Sequence, residues 1–268
     1  MQSRRHLALL GRSPLLILPV DGGLIDGPTG GLADPGQLFQ PPLLEVVDAV
    51  LGFAGLFQSQ LCALANTVQI LNLTVSTSRS THSRKVVASS VEQALRLGVE
   101  AVAVHVNISD PAEGEMLANL SHAVESCARY QLPVAAIAYP RRSYQHREEN
   151  YTSLMDRNPQ RYCELICHAV RIAAELGADL IKTRYTGSTE SFRQVVSSSL
   201  GVPIVAAGGG YIDESLALLN ARSVIEAGGA GVAYGRQVFN APDPVGFARR
   251  LRLTIDSAKQ GLDEGHDL

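Results

Sequence analysis

Eight short apolar runs, each separated from the next by a longer segment, limit what this chain can fold into more than any other feature. They are Leu15–Val20, Ala49–Ala54, Val68–Leu73, Ala101–Asn107, Val134–Tyr139, Asp179–Thr183, Ile204–Ala207 and Gly231–Tyr234. Runs this short, near-continuously apolar and bounded by turn residues, read as strands buried on both faces. Between most of them lie patterns of helical period: Phe57–Ala65, Val91–Leu97, Glu113–Tyr130, Pro159–Leu176, Thr189–Leu200, Asp213–Ala227 and Pro244–Lys259. Several strands are announced by a glycine that stops the preceding helix, as in Leu97-Gly98 and Leu176-Gly177. Strand–helix alternation implies a parallel sheet, and eight such units in 268 residues imply an α/β fold, a single-domain (β/α)8 TIM barrel. A doubly wound open sheet is the structural alternative. We expect one domain over 1–268, with an N-terminal helix over about 1–11 and a C-terminal tail over about 260–268.

The charge balance narrows the function. With 46% hydrophobic residues, 18% charged residues and a net charge of -3, nothing favours nucleic acid or an anionic membrane surface. Cys62, Cys127, Cys163 and Cys167 are scattered through helical patterns, which suits a reducing compartment better than a disulfide framework. Cys163 and Cys167, one helical turn apart, read as half-buried helix residues. The start of the chain superficially resembles a leader, but Gly11-Arg12-Ser13-Pro14 interrupts its apolar run and Asp21 stands where small residues would be cleaved. No apolar run is long enough to span a bilayer, so a cytoplasmic protein is expected.

Side chains alternate along a strand, and the polar ones fall on one face. In the fourth strand Val102, Val104 and Val106 suit packing against helices. Ala101, Ala103, His105 and Asn107 then point the other way, small residues giving way to polar ones toward the C-terminal end. That is the pattern of a barrel interior opening into a site. Asp21 falls in line with Ile17 and Pro19, Tyr139 ends the fifth strand, and Lys182 is in line with Leu180 and Arg184. Taken singly, Lys182 is a strand-end lysine with its head in water, His105 a satisfied interior histidine and Asp21 a turn cap beside Gly22 and Gly23. Together Asp21, His105, Tyr139 and Lys182 come from four strands and converge at one mouth, where a partly desolvated amine can attack a carbonyl and form a Schiff base.

The last two strands exit through glycines, Gly208-Gly209-Gly210 and Gly235-Arg236. At these positions many barrels bind a phosphate through backbone N–H groups, and Arg236 adds a cation. Two loops, Thr74–Lys85 and Tyr139–Arg161, follow strands and so belong to the same face. The second reads as either a solvated loop or a lid, with Arg141 and Arg142 available for a substrate carboxylate. No His/Glu/Asp cluster with metal-ligand spacing stands at the strand ends, and no cofactor is expected.

Val20-Asp21-Gly22-Gly23 with Asp26-Gly27-Pro28, Val104-His105-Val106-Asn107, Ala138-Tyr139-Pro140-Arg141, Gly177–Gly187, Val205–Gly209 and Gly231–Phe239 together resemble the archaeal-type class I aldolase family. Within it they look most like the 2-amino-3,7-dideoxyheptulosonate synthases and related secondary-metabolism synthases that join aspartate semialdehyde to dihydroxyacetone phosphate. The opening stretch is also similar to a thiolase of the superfamily that acts on a phosphorylated diketone. The resemblance implies that Lys182 is the Schiff-base lysine, Tyr139 the acid/base and Asp21 the first-strand catalytic aspartate. Gly208, Gly209, Gly235 and Arg236 match the phosphate grip, and His105, Arg184 and Arg141 are added as substrate contacts from their positions. It further implies a homo-oligomer and a reaction that needs no metal, the imine polarising the substrate instead. Two residues depart from the family pattern: Gly22, where a histidine usually follows the aspartate, and Tyr211, near where a lysine often follows the glycines. They leave room for a thiolase- or transaldolase-like lysine enzyme, or for a phosphate-binding barrel without catalysis.

Overall fold

The computed structural model describes residue 11, residues 14–144 and residues 147–266; the helix expected over about 1–11 lies almost wholly outside them. Eight parallel strands close into a barrel: β1 (Leu15–Pro19), β2 (Ala49–Gly52), β3 (Val68–Asn72), β4 (Ala101–Ile108), β5 (Val134–Pro140), β6 (Leu180–Arg184), β7 (Ile204–Ala207) and β8 (Gly231–Ala233). Each pairs with its neighbour in sequence, and β1 pairs with β8 to close the ring. The expected barrel is thus the observed one, and the open sheet is excluded.

The helices form where their ends are signalled. Ser90 accepts from the Gln93 N–H and Gly98 adopts a left-handed φ of 74° around helix Val91–Leu97. Asn158 caps Pro159–Glu175, Ser188 caps Thr189–Ser197, and Asp213 caps Glu214–Glu226. The final helix runs from Pro244 to His266, so the segment from residue 260, expected as a tail, is helical as far as it is described. The first full βα unit differs more. Its helix spans Ala54–Ser59 rather than Phe57–Ala65, and β2 stops at Gly52. A Cβ on Gly52 would press on Val20, Leu56 and Phe57, each at 3.3 Å, so glycine lets the helix pack directly against the strand end, and Gly55 sits inside the first helical turn. Between β1 and β2 there are only short helical turns, among them Gly22–Ile25 and Pro35–Leu38.

Strand parity divides the core in two. Leu15, Ile17, Ile70, Ala101, Ala103, Ile137, Leu180 and Val205 fill the barrel interior. Val102, Val104, Val106 and Ile181 belong to the larger layer between strands and helices. At the N-terminal end of the barrel, the carboxylate preceding a strand accepts the N–H that opens its neighbour. Asp48 bonds Leu16 at 2.8 Å and Asp179 bonds Val134 at 2.9 Å, while Glu100 bonds the Gln69 N–H at 2.8 Å. Arg252 of the last helix, 2.8 Å from Asp48, fastens that end shut. The opposite, C-terminal end carries the loops and the cavity.

Candidate active site

Ten of the residues singled out in the sequence border one cavity of about 890 Å³ at the C-terminal mouth: Asp21, His105, Tyr139, Arg141, Lys182, Arg184, Gly208, Gly209, Gly235 and Arg236. Arg142 does not; it is exposed and lies over the Tyr151 ring, 5.8 Å from its centroid, because it is the next residue in an extended segment and so turns away from Arg141. Tyr211 is 51% exposed and is not among the residues bordering the cavity.

Lys182 is central. It projects inward from β6, between Leu180 below and Arg184 above, and is only 8% exposed. Its Nζ makes no hydrogen bond or ion pair among the described residues, yet it borders the cavity. Buried lysines are rare unless paired. A buried amine held without a carboxylate at the floor of a cavity has the surroundings of a nucleophile.

Tyr139, His105, Arg184 and Asp21 line the same cavity. Tyr139, 8% exposed, meets His105 edge to face with ring centroids 5.1 Å apart, and the Arg184 guanidinium lies 5.3 Å from the Tyr139 centroid. His105 Nε2 is 3.0 Å from Asn107 Oδ1, and Asn107 uses its own amide N–H on the Ser83 carbonyl. The amide oxygen therefore accepts, which places the His105 proton on Nε2. Burial, followed by Lys85 and Arg141, drives the His105 pKa well below its ordinary value, so the ring is neutral. Asp21, half-buried at the exit of β1, accepts a hydrogen bond from Asn72 Nδ2 at 3.3 Å.

Two further residues at the site carry no motif. Asn72 continues the inward face of Val68 and Ile70, so strand parity alone could find it. His82, in the loop after β3, borders the cavity too, but nothing in its Ser/Thr-rich surroundings signals that.

At the far side, β7 and β8 end in the expected glycines. Among the described residues nothing accepts from the N–H groups of Gly209, Gly235 or Arg236. Gly209 has a left-handed φ of +68°, and a Cβ on Gly235 would overlap the Pro19 carbonyl oxygen. The strands can only meet this closely with glycine, and the result is a cluster of unused donors beside a guanidinium, suited to a phosphate. The cavity as a whole carries Lys182, Arg79, Arg141, Arg184 and Arg236 against Asp21 and Asp26, an excess of positive charge that suits an anionic ligand. Among the described residues, no group of three or more His, Cys, Asp or Glu could hold a metal ion.

A barrel with an inward amine and an anion cradle is the layout of a Schiff-base enzyme acting on phosphorylated carbonyl compounds. The family model described as DeoC/LacD family aldolase matches residues 15–241. The chain is 35% identical over 248 residues to 2-amino-4,5-dihydroxy-6-oxo-7-(phosphonooxy)heptanoate synthase of Streptomyces griseus, covering 91% of this chain and 85% of that one. It is 33% identical over 254 residues to 2-amino-3,7-dideoxy-D-threo-hept-6-ulosonate synthase 1 of Archaeoglobus fulgidus, covering 94% and 90%. Among solved structures it resembles an archaeal fructose-1,6-bisphosphate aldolase, with a TM-score of 0.83, 27% identity and coverage of 94% and 98%. A second such structure, an archaeal enzyme whose catalytic lysine is covalently bound to the carbinolamine intermediate of its substrate, matches with a TM-score of 0.80, 26% identity and the same coverage. The chain belongs to the DeoC/LacD family of aldolases. It is a class I, Schiff-base-forming carbon–carbon lyase.

Proposed function

We propose that this aldolase joins dihydroxyacetone phosphate to aspartate semialdehyde through an imine on Lys182. The observation that carries the reading is the buried Lys182 amine, unpaired among the described residues and lining one cavity with the anion cradle of β7 and β8. The product for which the Streptomyces griseus relative is named supports the substrate choice. Cutting that heptanoate between its two hydroxylated carbons gives a three-carbon ketone phosphate and a four-carbon amino-acid aldehyde, which are these two compounds.

The Lys182 amine adds to the donor ketone, and loss of water from the carbinolamine leaves a protonated imine. Its positive nitrogen draws electrons, so the neighbouring carbon gives up a proton and an enamine forms. Tyr139 is the proton carrier and Asp21, held by Asn72, orients or assists it. The enamine carbon attacks the aldehyde carbon; the oxygen takes up a proton, and water releases the product from Lys182. The phosphate, held at Gly208, Gly209, Gly235 and Arg236, fixes the reacting carbon beside the amine and lowers the entropic cost of reaction. Arg141, at the mouth next to β5, is placed to receive the acceptor carboxylate. His105 against the Tyr139 ring supplies an imidazole near the proton carrier in a site where Gly22 offers none.

Incubation with dihydroxyacetone phosphate and borohydride should reduce the imine to a stable adduct, and aspartate semialdehyde should be consumed with the donor in equal amounts. Donor binding without an adduct or turnover would favour a non-catalytic barrel. Coenzyme A dependence would favour a thiolase-like reaction. The same reading places the enzyme in biosynthesis in the cytoplasm, as a homo-oligomer. The exposed Leu216, Leu219 and Leu253 on two adjoining helices supply apolar surface for contacts between copies. Light scattering on the purified protein tests this last part.

A further inference from the structure

The loop between Thr74 and Val87 has no part in the mechanism so far, yet it is built as carefully as the strands. Its ends pair as a two-stranded antiparallel ribbon. Ser78 donates to the Ile25 carbonyl through both its N–H and its hydroxyl, at 2.8 and 3.1 Å. Asn107 donates to the Ser83 carbonyl from the other side. Ser83 and Lys85 are buried. The loop is therefore fastened to the exit of β1 and to β4, and it holds the His82 ring against the cavity.

The Lys85 ammonium bears on where the His82 proton sits. Lys85 Nζ lies 2.6 Å from Ser76 Oγ and 3.4 Å from His82 Nδ1, and an ammonium can only donate. Ser76 Oγ, 3.0 Å from the same Nδ1, gives its one proton to the His82 carbonyl at 2.9 Å, so Lys85 is the donor that faces Nδ1. An Nδ1 that keeps its lone pair meets that ammonium, and this is the tautomer with the proton on Nε2. No described residue accepts from Nε2. Burial first, then Lys85, Arg141 and Arg236, push the His82 pKa down to about 3, so the imidazole stays neutral.

We propose that His82 donates its Nε2–H to the aldehyde oxygen of the acceptor substrate, orienting it for attack by the enamine. This rests on the aldolase reading above. In the ring of eight strands β3 stands across from β7, so its loop covers the half of the mouth opposite the Gly208–Gly209 part of the phosphate cradle. In that reading Arg236 and Arg141 take the two anionic ends of the substrates, and the aldehyde oxygen, where charge develops as the bond forms, has no partner yet; the donor's own hydroxyl is the other uncharged oxygen, and trapping of the donor alone reads it separately. As the new carbon–carbon bond forms, the carbonyl π electrons move to that oxygen, and a fixed donor already aimed at it strengthens its hold as charge develops. His82 keeps its proton throughout; the alkoxide is protonated by Tyr139 or water. It is a binding and polarising group, not an acid.

The test compares His82→Phe and His82→Gln with the wild type in two assays. The first is borohydride trapping with dihydroxyacetone phosphate alone, which reads the donor half. The second is condensation with aspartate semialdehyde, which reads the acceptor half. Both variants should trap the donor as the wild type does. The Phe variant should lose about tenfold or more in kcat/KM for the aldehyde, and the Gln variant, which keeps an N–H donor, should recover most of it. Unchanged acceptor kinetics in the Phe variant, no recovery with Gln, or equal loss in both assays would overturn the proposal. Failure of the wild type to trap or turn over would instead overturn the aldolase reading. Should the Phe variant not fold, nitrogen NMR of the histidine-labelled wild type decides. A neutral Nε2–H ring between about pH 5 and pH 8 whose signal moves on adding the aldehyde is expected. A protonated ring, the other tautomer or an unmoved signal would refute it.

Discussion

Lys182 pairs with Ile137 in the β5–β6 register, so Tyr139, two residues further along β5, faces the same interior one step nearer the mouth. His105 shares the Ile137 partner from the β4 side, and its ring meets Tyr139 at an interplanar angle of 89°. Strand pairing, rather than any loop, thus sets amine, phenol and imidazole in a fixed order. Groups on strands hold their positions more tightly than groups on loops.

Tyr139→Phe should separate proton transfer from folding. The ring stays, and with it the edge contact to His105 and the stacking under Arg184. Only the hydroxyl is lost. We expect kcat to fall by about 10²–10⁴ with melting temperature nearly unchanged. A full-strength Phe variant would take the proton carrier's role from Tyr139.

Arg236→Met should weaken donor binding. A hydrogen bond to a charged group contributes about 1.5–3 kcal/mol, so KM for dihydroxyacetone phosphate should rise by about tenfold or more, with a smaller effect on the unphosphorylated ketone. Equal losses for both ketones would place the phosphate elsewhere.

The cradle glycines should differ in what they tolerate. A Cβ on Gly208 would sit 2.8 Å from Cδ1 of the buried Tyr234 ring, so Gly208→Ala should destabilise by about 1–3 kcal/mol through overpacking. Gly209→Ala meets open space but must hold a φ of +68°, which costs about 1–2 kcal/mol and turns an N–H out of the cradle. Denaturant melts, read alongside KM for the phosphorylated donor, check both.

Acid should destabilise the fold through its neutral histidines. Burial lowers the pKa of both His82 and His105. Below the unfolded value of about 6.5 the unfolded chain binds protons that the folded one refuses, so stability falls as pH falls. For His82 the loss continues down to about pH 3. His82→Gln removes its share, so the wild type should lose stability relative to that variant between about pH 7 and pH 5. A constant difference across that range would contradict the assigned state of His82.

Much of this was legible in the order of residues. Alternation of small and polar residues in β4 already puts Ala101, Ala103 and His105 inside and the three valines outside, because a strand in a closed barrel has no other way to satisfy both faces. The residues that line the cavity were legible where they stand on strands or just past them. What could not be read depends on contacts between distant segments. His82 has no periodicity to mark it; its place is fixed by Ser78 bonding to Ile25 and by Asn107 reaching Ser83. The helix after β2 begins at Ala54, closer to the strand than its period suggests, and the packing of Val20, Leu56 and Phe57 around Gly52 that accompanies this leaves no mark in the periodicity.

The central claim is that Lys182 forms the imine. Reducing the protein with borohydride in the presence of dihydroxyacetone phosphate, then mapping the modified peptide by mass spectrometry, tests it most directly. The account predicts one adduct, on Lys182, absent from a folded Lys182→Met variant. An adduct on another lysine, or its persistence in that variant, would contradict it.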